Sequence, residues 1–89
     1  MKHSYLEVTY RKGCPLAAYF YLPRQDTDSS ARTEREAGGL LVDYAADGRA
    51  IGIEITVPTQ LDLPQLNELL SRLGHEPVAD EVLAPLVAA

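Results

Sequence analysis

The sequence predicts an α+β fold, an antiparallel β-meander of four to five strands with one amphipathic C-terminal helix packed on a face. Three observations carry this. Short β-prone runs between turn residues fill positions 5–57, Asp47-Gly48 closes a hairpin from Leu40 to Val57, and a helix start signal stands at Asp62.

Tyr5 to Tyr10 alternates larger apolar with mixed residues and reads as the first strand. Lys12-Gly13-Cys14-Pro15 breaks it. Leu16 to Leu22 contains Tyr19, Phe20 and Tyr21 in sequence, which favours a central strand over a helix, and Pro23 ends it for want of an amide. Residues 24–30 carry no apolar side chain and form a loop. Residues 31–36 have polar side chains on both faces and fit an edge strand or a continuation of that loop, with the edge strand favoured.

In the hairpin, Leu40 to Tyr44 and Ala50 to Val57 are joined by Ala45-Ala46-Asp47-Gly48. A four-residue loop on a type I turn needs a left-handed last residue, and Gly48 meets that need. The register so fixed pairs Val42 with Ile51 and Leu40 with Ile53, setting those four with Tyr44 and Ile55 on the core face. Leu41, Asp43, Gly52 and Glu54 fall on the opposite, half-polar face.

For the helix, Asp62 is the cap and Gln65 its capping-box partner, while Leu61 can staple onto Leu66. Leu66, Leu69, Leu70 and Leu73 make one apolar stripe, Glu68 and Arg72 pair one turn apart, and Gly74 stops the helix. The segment after it is rich in Val82, Leu83, Leu86 and Val87, too apolar for a wholly solvated tail. It should dock on this domain or on a partner.

Length and charge narrow the functions. With 89 residues the chain holds one core, read as a single domain 1–89 with a meander at 5–57, a helix at 61–74 and a docking tail at 75–89. Such a domain buries only about 60 to 65% of its unfolded surface, so homodimerisation is a reasonable way to bury more. At 46% hydrophobic and 24% charged residues the composition belongs to a packed protein rather than a disordered one. A net charge of −5 repels a phosphate backbone, which argues against nucleic-acid binding. The single cysteine, the charges that interrupt any leader-like stretch, and apolar runs too short to span a membrane together predict a soluble cytoplasmic protein.

The stretch from Gly39 to Ile55 resembles the signature hairpin of a small prokaryotic family, the domain of unknown function numbered 2283. Asp43-Tyr44, Asp47-Gly48 and Gly52-Ile-Glu-Ile55 match its pattern, whereas Ala45 stands where an acid is common. Tyr10 through Leu22 is similar to the family's first hairpin, with Arg11 in place of its Asp and no acids in Lys12-Gly13-Cys14-Pro15. The resemblance covers roughly 5–57. It implies the β-meander and gives no activity; gene neighbourhoods of some members imply antitoxin-like partners of small toxins.

No catalytic set, cofactor or metal site is expected. Asp43 and Glu54 share a face and could serve a divalent cation or an acid/base step, but they sit diagonally and lack a third ligand. The plainer reading is two solvated carboxylates, with Asp43 tying down the turn. Cys14, His3 and His75 match no ligand spacing, and Gly38-Gly39 does not lead a strand into a helix as a phosphate loop would. The favoured function is a small non-enzymatic protein-interaction module, antitoxin-like or homodimeric, with Leu66, Leu70, Leu73, Val82, Leu83 and Leu86 as its interface. The alternative is a small-ligand or metal-dependent activity at Asp43 and Glu54.

Overall fold

Each β-prone run becomes a strand in the computed structural model, which describes residues 4–87 and their side chains through Ala84. The strands are β1 (Tyr5–Arg11), β2 (Cys14–Tyr21), β3 (Arg32–Glu36), β4 (Leu40–Tyr44) and β5 (Ala50–Ile55). A 3-10 turn (Pro58–Gln60) leads to the helices α1 (Leu63–Arg72) and α2 (Asp80–Val87). The strands form one antiparallel sheet in the order β1-β2-β5-β4-β3. Thus β3, β4 and β5 make a meander, and the β1–β2 hairpin joins it through β5.

Burial accounts for that order. Ile51, Ile53 and Ile55 of β5 are all buried, so this strand belongs at the centre, whereas β3 is Arg-Thr-Glu-Arg-Glu and tolerates only an edge. The ambiguous segment is therefore the edge strand, and loop 22–31 carries the chain past β5 and β4 to reach it. Pro15 lies inside β2, earlier than the strand was expected to begin. It is tolerated because β2 pairs with β5 only from Ala18 to Tyr21, so nothing on that side asks for its amide.

The hairpin register differs from the expected one by two residues. Val42 faces Ile53 and Leu40 faces Ile55, not Ile51 and Ile53. Two irregularities cause the shift. The turn closes with Gly48 N–H donating to the Ala45 carbonyl and Ala45 N–H to the Arg49 carbonyl, both at 2.9 Å, and a second register step lies between Asp43 and Tyr44. Because side chains alternate with a period of two, a two-residue slip leaves every one on its expected face. Gly48 has φ +92°, the left-handed conformation the turn requires.

The inner face meets the helices. Leu66, Leu69 and Leu70 of α1 pack with Phe20, Leu40, Val42, Ile53 and Ile55, and Leu73 lies against the same core. α1 ends at Arg72, ahead of the expected stop at Gly74, where His75 N–H donates to the Leu70 carbonyl at 2.8 Å and Gly74 N–H to that of Ser71 at 3.0 Å. The capping box does not form. Asp62 occupies the N-cap without a side-chain hydrogen bond to either candidate: Pro64 at the second helical position has no amide, the Gln65 amide at the third goes unused, and the Gln65 side chain lies over Gly38 instead.

The tail docks on its own chain. The Asn67 side chain accepts from Val78 N–H at 2.7 Å and donates to the Val78 carbonyl at 3.3 Å, clamping the segment after α1. Val78 and Leu83 then enter the core, and α2 packs on β1 and the 3-10 turn. Of the residues expected at an interface, Leu66, Leu70 and Leu83 are buried in this core and Leu73 is half-buried against it, whereas Val82 is exposed. The Leu86 and Val87 side chains lie outside those described.

Candidate functional site

Both helices lie on the inner face, and the register lays out the outer one. Tyr5, Tyr21, Gly52, Asp43 and Thr33 form one row across the strands, and Glu7, Tyr19, Glu54, Leu41 and Arg35 form the next. Asp43 and Glu54 therefore share the outer face on adjacent strands, diagonally, as expected.

Tyr19 does not stay in its row. Its ring leans across β5 over Gly52, and the phenol donates a 2.7 Å hydrogen bond to Asp43 Oδ2. The Thr33 hydroxyl donates to Asp43 Oδ1 from the other side. A Cβ at position 52 would overlap the Tyr19 hydroxyl and ring, so the glycine of the Gly-Ile-Glu-Ile run is what lets an aromatic on β2 reach an aspartate on β4. Asp43 thus joins β2, β3 and β4, instead of tying down the turn. Burial, with the hydrogen bond to Asp43 next, pushes the Tyr19 phenol well above its usual value. It stays protonated at neutral pH and is no base or nucleophile.

The turn is held by Asp47. Its carboxylate accepts from Arg49 N–H at 3.1 Å and Nε at 2.6 Å, while Arg49 Nη2 reaches Asp28 at 2.7 Å in loop 22–31. The guanidinium hydrogen bonds lower the carboxyl pKa of both Asp28 and Asp47. Beside Asp43, Tyr5 stacks on Tyr21 at 4.4 Å, Tyr19 meets Tyr21 edge-on at 4.6 Å, and the Arg24 guanidinium lies 5.2 Å from the Tyr21 ring centre. Weak acceptance by Glu7 and, first, partial desolvation raise the Tyr21 phenol too.

Both Asp43 oxygens already accept from hydroxyls, and Glu54 is exposed in the neighbouring row. Among the described residues no three His, Cys, Asp or Glu side chains converge on a metal position. Cys14 is exposed at the β1–β2 turn, His75 follows α1, and His3 lies outside the described residues. Sequence reasoning missed Tyr19, Thr33 and Asn67. Only the strand order brings the first two to Asp43, and Asn67 stands on a helix face whose polarity alone signals solvent.

The edges of the sheet differ in chemistry. β3 presents four charged residues in five, while β1 is seven residues long, with Glu7 and Arg11 as its charges. The register step in the first hairpin leaves Leu16 of β2 unpaired between Ala17 and Pro15, so the extra residue is on β2 and β1 runs straight.

Among known proteins, the family model described as Protein of unknown function (DUF2283) matches residues 17–56. That segment runs from β2 through β5 and holds Tyr19, Thr33, Asp43 and Gly52; β1 and both helices lie outside it. No curated protein and no solved structure matches the chain. Among the described residues, no helix is long and apolar enough to cross a membrane.

Proposed function

For a chain whose residues 17–56 match the DUF2283 family model, we propose a non-enzymatic protein-interaction module that takes up an extended strand at its β1 edge. One observation carries the reading. Four of the exposed large apolar side chains fall on β1 or on elements next to it: Tyr5 and Tyr10 on β1 at 45 and 50% exposure, Leu16 on β2 at 54%, and Val82 on α2, which packs against β1, at 43%. Val57, 44% exposed, follows β5 where the chain turns back toward β2 and α2. None of these lies on β3.

An edge strand offers unpaired amides and carbonyls to any extended chain, and proteins block edges they do not use with charge. β3 is blocked in that way. β1 is not, and its apolar flank supplies the burial that backbone hydrogen bonds alone do not. An antitoxin-like partnership, as the family resemblance implies, would be one form of such docking.

A displayed library of extended peptides, selected on the full chain and mapped by amide chemical shifts, tests this. Binders that perturb β1 and the exposed residues beside it are expected. Binders that map to β3 or to the α1 side, or an empty selection, would overturn the reading.

A further inference from the structure

Resting on that reading, we infer that the strand taken up at the β1 edge is β1 of a second copy, antiparallel about a two-fold axis at Val8. The first argument is register. In Tyr5-Leu-Glu-Val-Thr-Tyr-Arg11, a two-fold at the central Val8 sets Glu7 opposite Thr9, Leu6 opposite Tyr10 and Tyr5 opposite Arg11. Each pair joins residues of equal parity, so both copies keep their outer faces on the same side and their helices on the other.

The second argument is charge. The chain's net charge of −5 would favour a basic foreign partner, but the edge itself carries one acid and one base. Antiparallel self-pairing brings Glu7 of each copy diagonal to Arg11 of the other on one side and to its Glu7 on the other, and lays each Arg11 against a Tyr5 ring. Among the described residues Arg11 has no ion-pair partner within its own chain, and Glu7 has only the 3.5 Å contact from Tyr21. Two Glu7–Arg11 diagonals outnumber the single Glu7–Glu7 one, so the edge is complementary to itself, whereas β3 opposed to β3 would have to desolvate four charged side chains of each copy with no apolar residue on the strand to offset it.

Burial supplies the third argument. α2 packs beneath β1, so joining two β1 edges brings the two α2 helices toward each other under a ten-stranded sheet. Val82 and Tyr10 are the exposed apolar residues on that approach. A seven-residue edge with this flank is a small interface, and interfaces below about 1,200 Å² are weak and transient, so the dimer should dissociate in the micromolar range.

Sedimentation velocity of the full chain, from low micromolar to near-millimolar concentration, is the test. The wild type should shift from monomer to dimer. Glu7→Lys with Thr9→Lys, both exposed positions, sets like charges opposite one another across the two-fold and should leave a folded monomer throughout, with circular dichroism unchanged. Glu34→Lys with Arg35→Glu on β3, both exposed and outside the Asp43 cluster, should dimerise as the wild type does. A wild type that stays monomeric overturns the second copy as partner, and the peptide selection then reports separately on strand addition. A dimer that survives the β1 double variant, or yields to the β3 one, likewise overturns it.

Discussion

At Gly52 a single atom decides how the outer face is arranged. With no side chain there, Tyr19 crosses β5 to Asp43; with a methyl group it must swing away and leave the carboxylate with Thr33 alone. Gly52→Ala is therefore expected to cost about 1–3 kcal/mol, and Tyr19→Phe about 1 kcal/mol, by thermal or urea unfolding. Because both break the same contact, the double variant should lose less than the sum of the two. The raised phenol adds a pH dependence. A group that binds its proton more tightly when folded stabilises fully below its unfolded pKa, near 10 for tyrosine, and less as pH rises beyond it. Wild-type stability should fall above about pH 10 more steeply than that of Tyr19→Phe. Calorimetric titration with Mn²⁺, Mg²⁺ and Ca²⁺ should give no binding, since Asp43 has both oxygens engaged. A micromolar one-to-one curve abolished by Glu54→Gln would reinstate the metal-dependent alternative. Asp43 and Gly52 are legible in the sequence as a pattern, but their purpose is not, because Tyr19 and Thr33 sit on strands whose adjacency no local signal encodes.

Elements were legible in proportion to how local their causes are. The Asp47-Gly48 turn, the apolar stripe of α1 and the stop at Gly74 each depend on residues within one turn of chain, and each is found in place. Gly48 has open space where a Cβ would stand, so Gly48→Val should lower stability by roughly 1 kcal/mol or more through backbone strain alone. Equal melting midpoints would show that the turn tolerates a β-branched residue and is of another type. The register slipped by two because bulges arise from how the strands fit the sheet, which the turn sequence does not specify. Asp62 and Gln65 spell a capping box that does not form; the Gln65 side chain lies over Gly38 instead, a contact between distant residues that no local signal encodes. Asn67→Ala should cost about 1–3 kcal/mol, since it leaves the part-buried Val78 amide and carbonyl unsatisfied. Asn67→Asp, which keeps the acceptor for the Val78 amide, should recover part of that loss in the same melts.

Over the whole molecule, the strand order β1-β2-β5-β4-β3 is what sequence patterning could not supply: alternation shows which residues face the core, not which strand lies beside which. That order sets an edge with four charged residues in five on one side and an edge with two in seven, flanked by apolar residues, on the other. The tail is part of the fold. Val78 and Leu83 are buried, so truncation after Gly74 should unfold the chain rather than release a stable monomer, as circular dichroism would report. The central claim, that β1 is the docking edge and pairs with its like, is tested most directly by amide hydrogen exchange at low and high protein concentration. Protection should rise with concentration at alternate amides between Tyr5 and Arg11 and stay constant along β3. Exchange in β1 that is independent of concentration, or protection that grows along Arg32–Glu36 instead, would contradict it.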